Sequence, residues 1–369
     1  MTRTTHSPFR TRLRAALVLP LAVLLALVAP AASARPPAHP EITVMTRNIY
    51  LGSSLDPALE AGSPEEFVGA VAQIYGTMVF TDFPARAQAL AAEIAATEPD
   101  LIGLQEVSKW TVTPVPADPG TAAPSYDFLT ILLGALTSAG LDYSVAGVSD
   151  NALIGPAPLV APGTGCLNPI TPDCVVTFAD RDVILVNDAT PGLSVGQVRS
   201  AQYATQQVLS TPVGDVSFDR GWVSVQARYQ GKSFRFVNTH LEVEGADAVQ
   251  EAQAAEFLAG PARGRQTIAV GDFNSAADGS TTDSYAMLTS PPAFTDAWAA
   301  SGNGEGLTCC QNSTLTNENS TLKSRIDLIL TRGPIRPLSA EVVGASPFQA
   351  APPLWASDHA GVVARVRLR

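Results

Sequence analysis

The sequence of 369 residues has few cations and very little lysine. Only three lysines occur, Lys109, Lys232 and Lys323, and the formal net charge is −11. A protein that holds nucleic acid along its backbone normally presents a dense basic surface, because its cations displace the counterions of the phosphates. The composition therefore argues against a broad basic groove. A polyanionic substrate would need its charge met locally, by a metal ion or a few arginines.

Long apolar runs are absent beyond the first 34 residues. Within residues 1–34, four arginines precede the apolar run Ala15–Ala29, and the small residues Ala32-Ser33-Ala34 follow it. This order is typical of a secretory signal peptide, and the apolar run is short for a membrane-spanning helix. We therefore expect a secreted, extracellular protein cleaved after Ala34. Cleavage removes four of the 23 basic residues and none of the 34 acidic residues. The mature chain would therefore carry 19 basic and 34 acidic residues, a net charge of −15.

Cysteine is scarce too, with four residues in the chain. An even number suits an exported protein that forms disulfides. Cys166 and Cys174 lie in a segment rich in proline and glycine, and we expect them to form a disulfide. Cys309 and Cys310 are adjacent, and a vicinal disulfide, two free thiols or cross-pairing with the first two all remain open. Neither pair has the spacing or the histidines of a zinc site.

Strand-like and helix-like segments alternate irregularly, without internal repeats or an interior linker. The pattern predicts one layered α/β domain, with two sheets packed on each other and helices outside. Two long loops are expected, at 111–125 and 151–175. Strands are predicted at 42–48, 100–106, 143–148, 182–187, 199–209, 222–229, 233–240, 267–272, 326–330 and 362–368. Helices are predicted at 85–97, 126–139, 246–258 and 284–288, with mixed helical character over 63–80.

Several predicted strands end in, or begin with, hydrogen-bonding or charged residues. Polar groups that converge at one edge of a sheet are where functional sites form. Two of the four histidines, His240 and His359, lie in such groups, whereas His6 and His39 fall in the leader and the tail. The polar residues at these strand ends are Asn48, Glu106, His240, Asp272, Asn274, Asp327, Asp358 and His359.

These residue types suit metal-assisted hydrolysis of a phosphoester. Carboxylates bind Mg²⁺, Mn²⁺ or Ca²⁺ and leave coordination positions for phosphate oxygens. Two histidines can serve as base and acid, and amides can donate to developing phosphate charge. The H-E-x-x-H motif of zinc peptidases is absent. A serine hydrolase with a G-x-S-x-G nucleophile elbow is not expected either.

The order of six short motifs resembles that of the endonuclease/exonuclease/phosphatase superfamily. Deoxyribonuclease I, exonuclease III, inositol polyphosphate 5-phosphatases and neutral sphingomyelinases belong to this group. The resemblance covers residues 42 to 369. The motifs are RNIYLG (47–52), GLQEV (103–107), NTHLE (238–242), GDFNS (271–275), RIDLIL (325–330) and SDH (357–359).

The resemblance implies a four-layer α/β/β/α sandwich, with two mixed sheets face to face and helices outside. It implies one catalytic domain over 42–369, after a short tail at 35–41. Glu106 would be the principal metal ligand, helped by Asn48 and Asp358. Mg²⁺ is the expected ion, with Mn²⁺ or Ca²⁺ as alternatives.

The resemblance also implies the remaining roles. Asp272 and Asn274 would orient the water or metal and hold the phosphate, with Asn48 as a further phosphate contact. His359, oriented by Asp327, would be the general base, and His240 the general acid or a donor to the phosphate. Asp180 would be the carboxylate partner of His240, with Asp182 as the alternative, and Arg181 would reach the phosphate.

The expected activity is hydrolysis of phosphodiesters, as a nuclease or general phosphodiesterase. The alternatives are a phospholipase C-like or sphingomyelinase-like activity and an inositol phosphate phosphatase. A non-catalytic binding module on the same fold is a remote alternative. The substrate would be nucleic acid, a phospholipid head group or a small phosphodiester. We expect a monomer without an obligate protein partner.

Overall fold

The chain folds into two large β-sheets with helices on their outer faces. This computed structural model describes residues 39–115, 124–161, 166 and 173–369. The predicted signal peptide and parts of the two predicted loops lie outside the described residues. From residue 39 onward the chain belongs to one compact unit. In the described part, no helix has both the length and the apolar character needed to cross a membrane.

The first sheet has eight strands in the order β15-β18-β1-β2-β6-β3-β4, with β5 paired to β6. β1 and β2 are parallel, and β18 is antiparallel to β1. The bounds are β1 Glu41–Asn48, β2 Leu101–Gln105, β3 Lys109–Pro114, β4 Ser125–Asp127, β5 Tyr143–Leu159, β6 Cys174–Asn187, β15 Ile335–Val343 and β18 Gly361–Leu368.

The second sheet has six strands in the order β13-β14-β12-β11-β10-β7, in which only β11 and β12 are parallel. Two further pairs stand apart, the β8–β9 hairpin and the β16–β17 pair. The bounds are β7 Leu193–Gln202, β8 Gln207–Thr211, β9 Gly214–Phe218, β10 Gly221–Tyr229, β11 Lys232–His240, β12 Thr267–Asp272, β13 Thr295–Asp296, β14 Asp327–Arg332, β16 Gln349–Ala350 and β17 Pro353–Leu354.

Strand periodicity divides the core into layers. Successive side chains point to opposite faces of a sheet. Val44 of β1 packs between the two sheets, whereas the next residue, Met45, packs beneath the outer helices. A third apolar cluster, which includes Phe257, joins the second sheet to its own helices. The helices are α1 Asp56–Leu59, α2 Pro64–Phe80, α3 Phe83–Thr97, α4 Phe128–Ser138, α5 Asp247–Ala259, α6 Ser284–Thr289 and α7 Ala297–Ser301. The predicted α/β/β/α sandwich is confirmed.

The predicted loop at 151–175 is wrong over its first part, because β5 continues to Leu159. Prolines and glycines in this segment had favoured a loop. The strand accommodates Pro156 through an irregular register with β6 between Ile154 and Ala157. Proline is tolerated at strand edges and bulges, where a ladder hydrogen bond is already missing. Similarly, the predicted loop at 111–125 begins as strand β3.

The cysteines pair locally. Cys166 and Cys174 form the expected disulfide, with an S–S distance of 2.05 Å. Cys309 is joined to its neighbour Cys310, so cross-pairing between the two pairs does not occur.

Two buried arginines fix the segments that carry the polar strand ends. Arg86 of α3 is fully buried and donates to the backbone oxygens of Ile49, Tyr50 and Ala356. Arg47 pairs with Glu93 at 2.9 Å and donates to the backbone oxygen of His359. A buried guanidinium needs several acceptors to offset its lost hydration. These carbonyls meet that need and lock the loops together.

An amide bridge joins the two sheets directly. Asn238 of β11 donates to the backbone oxygens of Leu104 and Val183 in the first sheet, and its Oδ1 accepts a 2.6 Å bond from Gln105. The approach is close because residue 103 is glycine: a Cβ there would lie 2.7 Å from the Asn238 oxygen. We call Asn238, Gln105 and Gly103 the inter-sheet bridge.

Candidate active site

Strand ends from both sheets meet at one edge of the sandwich. His240 ends β11 and lies opposite Asp272, which ends the parallel strand β12. Asp327 begins the antiparallel strand β14 and also lies opposite Asp272. The first sheet contributes Asn48 at the end of β1 and His359 just before β18. Residues that are far apart in sequence thus form one buried polar cluster.

His359 lies in an acidic environment. Its Nδ1 is 2.9 Å from Oδ2 of Asp327, and its Nε2 is 3.7 Å from Oδ2 of Asp272. Burial lowers the pKa of His359, but the charges of Asp327, Asp272 and Asp358 outweigh it and raise the pKa well above the usual value. Sγ of Cys310 lies 3.9 Å from Nε2. The predicted pairing of His359 with Asp327 is present.

His240 lies in the opposite kind of environment. Nη1 of Arg220 donates to its Nδ1 at 3.0 Å, and its Nε2 is 3.0 Å from Nδ2 of Asn274 and 3.5 Å from Oδ2 of Asp272. Burial, then the charges of Arg220 and His359, lower the pKa of His240 well below the usual value. These surroundings favour the neutral imidazole. Asp272 faces both histidines.

Glu106 follows the last residue of β2 with a left-handed backbone, φ 58°. One carboxylate oxygen accepts from Nδ2 of Asn48 at 2.9 Å, and the other accepts from the backbone nitrogen of Leu51 at 2.7 Å. Nδ2 of Asn48 also donates to Asp272 at 3.1 Å, while its Oδ1 is held by the backbone nitrogen of Tyr50. In this arrangement Asn48 orients two carboxylates through its nitrogen. Its roles as metal ligand and phosphate contact remain predictions.

Asp180 and Asp182 are buried on one face of β6. Within the described part of the chain, both carboxylate oxygens of Asp182 and Oδ1 of Asp180 have no hydrogen-bond partner. Burial raises the pKa of both groups. The predicted contact between Asp180 and His240 is not formed, because the group on Nδ1 of His240 is Arg220.

The predicted phosphate contact of Arg181 does not agree with the structure. Strand alternation turns its side chain away from Asp180 and Asp182. It donates to the backbone oxygen of Val107 at 2.9 Å and to the carboxylate of Asp127 at 2.6 Å. Asp127 is the N-cap residue of α4. Arg181 therefore has a structural position at the edge of the first sheet.

Arg220 is the arginine that the sequence reasoning missed. It precedes β10, whose antiparallel pairing with β11 brings it beside His240. Its Nη2 lies 3.5 Å from the buried Glu242, and its Nε has no partner among the described residues. The charge on Arg220 also lowers the pKa of Asp180 against the effect of burial. An arginine beside a predicted strand that pairs with a site strand is the one signal available in the sequence.

A cavity of about 490 Å³ opens beside the cluster, and Glu106, Asp180, Arg220 and Asp358 are among the residues that line it. Burial raises the pKa of Asp358 to about 6, and the charge of Glu106 adds to this effect. Burial and the charge of Asp327 raise the pKa of Asp272 to about 6. Carboxylates destabilised by one another's charge are a fitting donor set for a hard divalent cation. The residues present fit such an ion, with Glu106 and Asp358 as the groups that would hold it.

One G-x-S-x-G match does occur in the sequence, at 192–196 (GLSVG), despite the expectation of none. Its serine, Ser194, is exposed near the start of strand β7. A nucleophile elbow requires a sharp turn from a strand into a helix. The match is therefore not a serine-hydrolase site.

Comparisons with known proteins agree with this architecture. A family model described as "Endonuclease/Exonuclease/phosphatase family" matches residues 75–359. A search of curated proteins gives no match. One similar solved structure is an endonuclease/exonuclease/phosphatase family protein from Bacteroides thetaiotaomicron, 15% identical, with a TM-score of 0.57 over 90% of this chain and 96% of that one.

Two further structures share the fold. A mannosyl-6-phosphatase of B. thetaiotaomicron is 16% identical, with a TM-score of 0.53 over 88% of this chain and 99% of that one. D. rerio TDP2, complexed with a single-strand DNA product, is 14% identical, with a TM-score of 0.50 over 88% and 98%. At these identities the solved structures show only that the fold is shared. The family model covers most of the sequence and therefore shows the family. The chain belongs to the endonuclease/exonuclease/phosphatase family, whose members are phosphoester hydrolases and are in general dependent on divalent metals.

Proposed function

We propose that the protein hydrolyses phosphodiesters with the help of Mg²⁺, or of Mn²⁺ or Ca²⁺ in its place. The observation that carries the proposal is the pair of buried histidines on either side of Asp272, one in an acidic and one in a basic environment. Neighbouring titratable groups whose surroundings drive their proton affinities apart are typical of sites that carry out acid–base chemistry. Family membership supplies the reaction class.

The chain's own residues divide the work between the two histidines. Asp327 holds the His359 ring through Nδ1, so Nε2 faces the cluster and can take a proton from an attacking water. Glu106 and Asp358 would hold a divalent cation, which would supply positive charge against the carboxylates and polarise phosphate oxygens. Base catalysis needs the unprotonated ring, and a cation that offset the neighbouring carboxylates would favour that form of His359.

The other side of the site suits the phosphate. Arg220 and Asn274 present hydrogen-bond donors around His240, and these can stabilise negative charge on a phosphoryl group. The low pKa of His240 favours the neutral ring, whose one N–H can donate a hydrogen bond to the phosphate without bringing a further charge into the buried site. A general phosphodiesterase is favoured over a nuclease, because Arg220 is the only basic side chain in the described cavity lining.

Release of p-nitrophenolate from bis(p-nitrophenyl) phosphate tests the proposal. We expect activity with added Mg²⁺, none in excess chelator, and recovery when the metal is restored. His359→Ala should lower kcat/KM by about 10²–10⁴-fold, because base catalysis is lost. His39→Ala, at an exposed position in the tail, is the matched control and should leave the rate unchanged. Full activity in chelator, or in His359→Ala, would contradict the mechanism.

We also propose that the protein is exported and that cleavage follows Ala34. The support is the order of arginines, apolar run and small residues in the leader. N-terminal sequencing of the protein from the culture medium of an expressing host should give Arg35 as the first residue. An intact leader on the cell-associated protein would contradict export.

A further inference from the structure

The β8–β9 hairpin contributes to one wall of the cavity of about 490 Å³ beside the histidine cluster, which we call the site cavity. Alternation along β8 turns Leu209 toward the cavity and its neighbour Val208 outward, where Val208 is 56% exposed. On β9, Phe218 also faces the cavity and is half-buried. The hairpin pairs only with itself among the described strands, so the main sheets do not require these apolar side chains. Their position beside the reacting groups needs another explanation.

An apolar cleft lies beside the site cavity, against this hairpin. It has a volume of about 70 Å³, and its lining is apolar except for Thr211. The two spaces are adjacent, and four residues line both of them, which are Leu55, Leu59, Phe178 and Phe218. Leu55 and Leu59 flank and end the short helix α1, which lies against β8. A group attached to a phosphate in the cavity would therefore meet an apolar surface on this side.

The charges around the cavity select against further anions. Among the described residues that line it, eight side chains are charged: seven are carboxylates, and Arg220 is the single cation. Three of the carboxylates, those of Asp56, Asp219 and Glu244, lie away from the histidine cluster on exposed or half-buried segments. One divalent cation offsets two of these charges at most. A chain of phosphates would meet net repulsion here, because this site lacks the cations that phosphates need.

We propose that the β8–β9 hairpin and α1 form a specificity subsite for an uncharged, apolar ester group on the substrate phosphate. The inference rests on the proposed function and narrows it to phosphodiesters that carry such a group. Leu209 and Phe218 are its specificity-determining residues. Apolar area removed from water in the cleft stabilises the bound substrate, while the acidic rim excludes polyanions.

A series of p-nitrophenyl phosphodiesters tests the subsite, since all share one leaving group. The second ester group is methyl, hexyl, or a hexyl chain that ends in a carboxylate. We expect kcat/KM for the hexyl ester to exceed that for the methyl ester by at least about tenfold, because each buried methylene group contributes several-fold. The carboxylate-ended ester should lose most of this gain, because its charge enters an acidic, apolar site.

Variants of the hairpin locate the effect. Leu209→Ala and Phe218→Ala should each bring the hexyl-to-methyl ratio toward one, whereas Val208→Ala, on the outward face of the same strand, should keep the wild-type ratio. Circular dichroism melting curves identify any variant that fails to fold, and the two inward variants are independent of each other. Equal rates on the hexyl and methyl esters, or a ratio that survives in both folded inward variants, would overturn the subsite. Absence of turnover on every ester, with Mg²⁺ present, would overturn the proposed function itself.

Discussion

The His359 side and the His240 side of the site use the same residue type in opposite electrostatic surroundings. His359 is surrounded by carboxylates, which raise its pKa, whereas His240 is in contact with Arg220 and an amide, and its pKa is lowered. Both rings are buried and both face Asp272. The difference shows that burial alone does not set the proton affinity of a histidine; the signs of its nearest charges decide it.

The largest expected effect comes from removing the carboxylate behind His359. Asp327→Asn keeps the shape of the side chain but not its charge, so the ring loses its orientation and its acidic partner. We expect kcat/KM to fall by about 10²–10⁴-fold, because the base is impaired. The pH–rate profile of the variant, measured with saturating Mg²⁺, provides the check.

The acidic limb of that profile should move to lower pH in Asp327→Asn, since a charge that raises the pKa of His359 is gone. An unchanged limb together with wild-type kcat would show that Asp327 does not act on His359. The comparison between the two sides would then lose its basis.

The next effect concerns the opposite side. Arg220→Gln removes the cation beside His240, and we expect kcat/KM to fall by about 10–100-fold as a charged donor to the phosphate is lost. Because the Arg220 charge contributes to the low pKa of His240, that pKa should rise in the variant. NMR titration of the histidine ring protons can follow this pKa, since the chain has four histidines. A lower or unchanged pKa would contradict the contact.

Stability should depend on pH with opposite slopes on the two sides. The folded pKa of His240 is lowered, so below about pH 6.5 the unfolded chain binds a proton that the folded chain does not, and stability falls as pH falls. The folded pKa of His359 is raised, so its contribution is fully present below about pH 6.5 and is lost as pH rises through the folded pKa.

Urea unfolding of the wild type, His240→Gln and His359→Gln in chelator separates the two contributions. The free energy of unfolding of the wild type minus that of His240→Gln should decrease toward low pH, by up to about 1.4 kcal/mol per pH unit. The corresponding difference for His359→Gln should decrease toward high pH. Two difference curves with the same sign of slope would refute the assignment of opposite environments.

The smallest effect on activity is expected at Arg181. Its guanidinium is bound to Asp127 and a backbone oxygen, away from the cluster. Arg181→Gln should therefore change kcat/KM by less than about twofold, while the free energy of unfolding falls by about 1–3 kcal/mol, because a charged hydrogen bond is lost. A large fall in kcat/KM with unchanged stability would contradict this structural role and support a contact between Arg181 and the phosphate.

The sequence was sufficient to predict the site residues at the strand ends. It was insufficient to predict the positions of the arginines beside them. Runs of apolar residues that end in Asn48, His240 or Asp272 are visible as patterns, and strand pairing places them together. Arg220 was missed because its place depends on the register of β10 with β11, which local pattern does not encode. The strand predicted at 182–187 began one residue after Arg181, whereas β6 begins at Cys174, so the alternation that turns the Arg181 charge to the opposite face was not visible.

The reach of β5 was missed for a different reason. Local preference for turns at Pro156 and its neighbours pointed to a loop, and pairing with β6 overrode that preference. Tertiary context decides such segments, and a single sequence contains little information about it. The predicted strand at 199–209 joined the end of β7 to the start of β8, and β9 was not predicted, so the hairpin's role as a cavity wall was not visible.

The inter-sheet bridge fixes the spacing of the two sheets close to the site. The paired groups Asp327 and His359 come from different sheets, so the gap between the sheets sets the distance between them. Asn238 spans that gap just behind the site, and the lack of a side chain at position 103 lets the sheets approach. Packing between the two sheets therefore sets the distance between site residues that come from different sheets. A larger side chain at Gly103 would push the sheets apart and change the distance between Asp327 and His359, even in a protein that still folds.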